Sequence, residues 1–324
     1  MSQISDDQIE QLKLYFHELT KNHFLSIFGE EKGKVFFEKY KEAFQIFFEK
    51  SLKLMPTNLS KRHGINAIFV LAFDKALEEE DLAHEEIKKH ILTIYKVMTK
   101  EIFDAQVKQM EESENPWETF VENSKKGNAL LYENEFFEGI VAFDLESVFG
   151  IDIQKCLYYE IFLKNLRLDL GPILCAYDYL LAKVVDKWIR FERTSTIVDG
   201  WSRCDFRYYP RDYSSKSELS IDREKITAIM LDFIHKETGW GDPLKSQCEF
   251  EDFYLRGIKK LENENLLILI EYHFDEDGFS MYPRVHILKG EVEIDKEYNI
   301  VSFKLEETYT GPASVEDPYV TKKE

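Results

Sequence analysis

The chain has 324 residues and a formal charge of −19, from 42 Lys and Arg against 61 Asp and Glu. A surplus of that size repels nucleic acid and anionic lipid before any contact forms, which argues against both as partners. No apolar run approaches the roughly 18 residues that cross a bilayer, whereas 25 Phe and 17 Tyr supply enough apolar area for the sizeable core of a two-domain chain.

The opening MSQISDDQIEQLK is acidic and polar, unlike a signal or transit peptide. The cysteines, Cys156, Cys175, Cys204 and Cys248, have no C-x-x-C spacing. Reduced thiols in a cytoplasmic protein are therefore expected.

Residues 6–50 read as amphipathic helices. Ile9, Leu12, Tyr15, Phe16 and Leu19 form one stripe at helical spacing, and Phe36, Phe37, Tyr40, Phe44, Phe47 and Phe48 form a second. Further helices are predicted over 63–76 and 84–110, separated by the solvated run Glu78-Glu79-Glu80-Asp81. Asn115-Pro116 starts a short helix over 117–125, and Gly127-Asn128 is expected to lead into extended structure. Val141, Phe143 and Leu145 alternate with polar or small residues as in a half-buried strand. A helix follows over 156–168, and Pro172 opens another that carries Cys175, Asp178, Tyr179 and Ala182 on one face.

A hairpin comes next, with Asp199-Gly200 as its turn. A two-residue turn sets Thr196 opposite Arg203, Thr194 opposite Asp205 and Glu192 opposite Arg207 on one face, with Phe191 opposite Tyr208 on the other. Beyond Tyr209, 210–220 reads as a linker, Ile226 to Ile234 as an amphipathic helix, and 239–243 as its stop. Four strand-like runs near 249–261, 265–274, 284–294 and 299–307 complete a helix-plus-meander pattern like a cystatin-like roll. The fold class is thus α+β: a helix-rich domain with a small antiparallel sheet over 1–212, a smaller α+β domain over 221–309, and a flexible tail over 310–324.

The chemistry-bearing residues concentrate between 156 and 207. Cys175 and Cys204 admit three roles: nucleophile, metal ligand or packed core residue. A thiolate nucleophile needs a base or cation beside it; no histidine lies within this stretch, and His63, His84 or His90 could be brought there by folding. The separations of Cys156, Cys175 and Cys204 match no standard zinc pattern, so neither metal nor cofactor is expected. Asp178 and Asp205 could act as acid and base. Thr194 and Thr196 could donate hydrogen bonds, and Arg193 or Arg207 could clamp a carboxylate. The plainer alternative has Asp205 accepting from Thr194, and Glu192 pairing with Arg207, simply to hold the hairpin.

The wording of this stretch adds to that reading. Cys175-x-x-Asp178-Tyr179, Arg193-Thr194-x-Thr196, Gly200 and Cys204-Asp205-Phe206 closely resemble the L-2-amino-thiazoline-4-carboxylic acid hydrolase family. Upstream, Phe143-Asp144, Cys156 with Tyr159, and Leu170-Gly171 continue the pattern. The resemblance covers about residues 130–210, extends diffusely to the N-terminal helices, and leaves out the last hundred or so residues.

It implies an enzyme that opens a small cyclic amidine by adding water to the ring carbon. Cys175, Asp178, Asp205, Thr194 and Thr196 would stand on the catalytic side. Arg193, Arg207, Tyr179, Cys204 and Cys156 would stand on the substrate side. The implied partner is a small-molecule substrate, and a homo-oligomer is compatible with the sequence. The alternative is a non-catalytic binding or sensor protein for a small molecule or peptide, suggested by the appended C-terminal domain.

Overall fold

The computed structural model describes residues 4–80, 82–211, 223–238, 251–275 and 285–310. The fold is α+β, a helix-rich N-terminal part followed by mostly antiparallel strands. Contacts divide it into two compact units, one formed by Met1–Ile140 with Ile151–Asp212, the other by Val141–Gly150 with Tyr213–Glu324.

The first unit is built on long helices. Helix α1 (Asp6–Phe28) starts with a capping box in which Ser5 and Gln8 satisfy each other's backbone N–H. It ends at Gly29, whose φ of 78° suits glycine and lets α2 (Glu30–Ser51) turn back at once. Helix α3 (Asn58–Ala76), capped by Thr57 and Ser60, is buried almost all round, which its unbroken apolar run from Ala67 to Phe73 requires. Both predicted stripes pack on it: Phe16 of the first meets Phe69 with ring centroids 4.8 Å apart, and Tyr40 of the second meets Phe69 at 6.3 Å. Helix α4 (His84–Glu112) adds Ile87, Ile91, Ile94 and Tyr95 to the same core.

Several local expectations are corrected downstream. Helix α5 (Pro116–Leu131) runs past Gly127. Asn128 ends up inside it, its amide donating to the Gly139 carbonyl at 3.3 Å and to Glu133 at 2.8 Å. Strand β1 (Gly139–Asp144) lies where alternation put it, but a second strand, β2 (Phe149–Ile153), follows that the pattern did not announce. Helix α6 (Leu157–Lys164) is shorter than expected, with Cys156 as its cap accepting from the Tyr159 N–H at 3.5 Å.

The helix after Pro172 is two short pieces, α7 (Gly171–Cys175) and α8 (Asp178–Val185). Tight i to i+3 bonds from Tyr177 to Leu174 and from Leu180 to Tyr177 join them. That break turns Tyr179 outward, half-exposed, so it no longer shares a face with Cys175 and Asp178.

Strands β3 (Ile189–Glu192) and β4 (Cys204–Pro210) pair antiparallel in the expected register, Phe191 with Tyr208 and Glu192 with Arg207. The turn itself differs. Residues 197–199 form a 3₁₀ turn capped by the Thr196 hydroxyl, and Gly200 follows at φ 89°. The ladder therefore stops at Glu192, and 193–196 is loop. Strand β4 lies between β3 and β2, of which Ile151–Ile153 belongs to this unit.

The second unit contains α9 (Arg223–Thr238) and strands β5 (Glu251–Lys260), β6 (Leu266–Asp275), β7 (Val285–Ile294) and β8 (Ile300–Thr310). Its strand order is β1-β5-β6-β7-β8, with β1 parallel to β5 and the other pairs antiparallel. Ile226, Met230, Phe233 and Ile234 of α9 are buried, as are Ile268, Ile270, Tyr272, Leu288, Val292 and Ile294 of the sheet. The linker beyond 211, the stop at 239–243 and the tail beyond 310 lie outside the described residues.

Candidate functional site

Inside the first unit, α1, α3, α4, α7, α8 and β4 surround a cavity of about 510 Å³. Its wall is mostly aromatic and aliphatic, with the rings of Phe16, Tyr95, Tyr132, Phe137, Tyr158 and Tyr208 among them. Five residues singled out from the sequence line it: Cys156, Cys175, Asp178, Arg193 and Cys204. Their elements explain how they meet. Cys156 caps α6, Cys175 ends α7, Asp178 begins α8, Arg193 leaves β3 and Cys204 begins β4.

Asp178 and Arg193 form the charged centre. They are paired directly, and the same guanidinium group donates to the Cys175 carbonyl at 3.0 Å, which fixes the pair to the end of α7. Burial lifts the Asp178 carboxyl from its ordinary 3.8 to about 6, against the pull of Arg193. At neutral pH it is a carboxylate of unusually high proton affinity.

The thiols are in the opposite condition. Burial, helped by the Asp178 charge, pushes Cys175 far above the ordinary thiol range. Cys156 is raised to about 12 by burial and by its neighbour Cys204. Cys204 is raised to about 11 by burial, even though its sulfur accepts from the Ile197 N–H at 3.3 Å. All three are neutral thiols at physiological pH, so none rests as a nucleophilic thiolate.

His63 is the histidine that folding brings here. Its Nδ1 lies 3.1 Å from the Tyr158 hydroxyl, and burial together with the charge of Arg62 lowers it to about 4, leaving the ring neutral. Asn66 takes a hydrogen bond from the Tyr95 hydroxyl at 3.2 Å. Arg62, Asn66, Tyr132, Tyr158, Tyr177 and Tyr208 are lining residues that sequence reasoning missed. The one available signal was polar Arg62-His63 directly before the apolar run of α3.

The remaining candidates are not among the lining residues. Asp205 accepts from the Thr194 N–H at 2.8 Å, the Thr194 hydroxyl at 2.5 Å and the Ser195 N–H at 2.6 Å. Burial disfavours its charge, but those bonds outweigh it and hold the carboxyl below its ordinary value. Thr196 is buried and bonded to Asp199 at 2.6 Å. Arg207 does not pair with Glu192. It lies 2.6 Å from buried Asp152, which also meets Arg203 at 3.2 Å, while Glu192 pairs with Arg190. Among the described residues no group of three or more His, Cys, Asp or Glu could hold a metal. No helix among them is long and apolar enough to cross a membrane.

A cavity of this size, apolar with a few convergent polar groups, is the usual build of a small-molecule site. Residues 61–208 match the family model described as L-2-amino-thiazoline-4-carboxylic acid hydrolase, which bears out the resemblance over that segment. The matched span runs from α3 through β4 and includes Arg62, His63 and each cavity residue singled out from the sequence. No curated protein and no solved structure matches the chain.

Proposed function

We propose that the first unit is a hydrolase that opens a small cyclic amidine such as 2-amino-thiazoline-4-carboxylate, with Asp178 as its base. The observation that carries this is the Asp178–Arg193 pair at an aromatic-walled cavity, its carboxyl raised to about 6. A base with that affinity is ionised at neutral pH yet takes a proton readily.

Water adds to the electron-poor amidine carbon while Asp178 removes its proton. The new C–O bond makes a tetrahedral centre. Asp178 then returns the proton to the departing ring atom as the bond from carbon to ring nitrogen or sulfur breaks. Neutral tyrosine hydroxyls and thiols in the wall can donate hydrogen bonds to the centre without adding charge. Arg193 holds the carboxylate in place and limits its rise. Thr194, Thr196 and Asp205 serve this site by shaping the loop that delivers Arg193 and Cys204.

The competing reading, a binding protein on the same scaffold, is favoured by one observation: none of the cavity thiols is activated. Incubation with 2-amino-thiazoline-4-carboxylate separates the two. The enzyme reading expects a gain of one water by mass spectrometry, and a free-thiol reagent tells cleavage of the C–S bond from cleavage of C–N. Asp178→Asn should lower the rate by about 10²-fold or more with the melting transition nearly unchanged. Binding without turnover supports the binding reading.

A further inference from the structure

We propose that Arg62 is the carboxylate-binding residue of this cavity, so that the site selects a flat ring bearing one anionic group; this rests on the ring-opening reading above. The cavity wall has one carboxylate, Asp178, and two guanidinium groups, Arg62 and Arg193. Arg193 is committed to Asp178 and to the Cys175 carbonyl. Arg207, the other residue considered for a clamp, is held by Asp152. The guanidinium group of Arg62 has no hydrogen bond or ion pair among the described residues; its backbone carbonyl accepts from the Asn66 side-chain amide at 3.3 Å. The lining therefore has a cationic excess of one, in a chain whose formal charge is −19.

Position supports the same assignment. Arg62 is itself exposed, at the solvent side of the wall, whereas its chain neighbour His63 is buried in it. Its charge acts inward on His63 and on Tyr132, and the Tyr132 hydroxyl feels Asp178 as well. Tyr132 thus sits within reach of both a free cation and the reactive carboxylate. A ring against Tyr132 can present its carboxylate to Arg62 and its amidine to Asp178. The cation orients the substrate, and the anion does chemistry at its other end. Bidentate capture of a carboxylate is what a guanidinium group does best, and the ligand would shield it from the water that now weakens it.

The test uses two probes on the full chain, 2-amino-thiazoline-4-carboxylate and 2-aminothiazoline, which lacks the carboxylate, with binding measured by calorimetry. The wild type should prefer the carboxylate by about 10-fold or more, the scale of one charge-assisted hydrogen-bonded contact. Arg62→Gln should erase that preference by weakening only the carboxylate probe, and Arg62→Lys should restore part of it. Salt should reduce the preference in the wild type and leave Arg62→Gln unmoved. A preference that survives Arg62→Gln overturns the assignment while leaving the ring-opening reading intact. Failure of the wild type to bind either probe overturns both. A thermal melt of each variant accompanies the binding data, and unequal loss of the two probes distinguishes lost recognition from a damaged cavity.

Discussion

Asp178 and Asp205 are two carboxylates in one motif with opposite environments. Asp178 is short of donors and raised to about 6 by burial, whereas Asp205 has three and is held low against its burial. Their contributions to stability run in opposite directions with pH. The folded state binds the Asp178 proton more tightly than the unfolded chain. Its contribution is therefore fullest below about 3.8 and falls as pH rises through about 6. Asp205 contributes above the unfolded carboxyl value and loses that contribution on acidification.

For the reaction, only ionised Asp178 accepts a proton. The rate should therefore climb with pH through about 6 and level off above it. Arg193→Ala removes the attraction that restrains the shift, so the midpoint of the pH–rate curve should move up; an unmoved midpoint would separate the titration from this pair. Asp205→Ala should cost about 2–4 kcal/mol in a denaturant melt, because two backbone N–H groups and a hydroxyl lose a charged acceptor. A loss of turnover with no loss of stability would return Asp205 to the chemistry.

Among elements, what was legible in the sequence is what obeys a period. The stripes of α1 and α2 and the C-terminal meander announce themselves by spacing, and Asn115-Pro116 marks where α5 starts. The break between α7 and α8 does not, since Ala176-Tyr177 holds neither Gly nor Pro and tertiary packing chose the tighter turn. Strand β2 was hidden because Val148-Phe149-Gly150-Ile151-Asp152-Ile153 is short and carries an ion-paired aspartate on a buried position. The cavity was half legible: its motif residues lie within 156–204, whereas Arg62 and His63 reach it only through the three-dimensional packing of α3.

Gly257 shows the same limit in a strand. It follows a register shift in β5, and a Cβ there would lie 1.9 Å from the Ala142 carbonyl oxygen of β1. Only glycine lets the parallel pairing of Phe143 with Ile258 form at that distance. Gly257→Ala should therefore displace β1 and destabilise the second unit by about 1–3 kcal/mol. The readout is faster amide exchange at Phe143 and Asp144; unchanged protection there would refute the close-approach argument.

At the scale of the whole chain, the division into units does not follow the sequence in one cut. Val141–Gly150 leaves the first unit and joins the second, then the chain returns at Ile151. Yet every residue of the main buried cluster, from Ile9 to Cys204, comes from Met1–Ile140 or Ile151–Asp212. Among the described residues, the buried cluster around α3 is thus drawn from the first unit alone. A domain is expected to fold alone when it owns its core. We therefore propose that a chain ending at Asp212 retains a cooperative thermal transition and the ligand affinity of the cavity. Its one local loss should fall on β1, because Phe143 and Asp144 are deprived of their partners Ile258 and Lys259. Hydrogen exchange should then show protected amides through α3 and rapid exchange over 141–144. A fragment that melts without cooperativity would mean that the excursion through the second unit is needed to hold the first together, and independent folding would be abandoned.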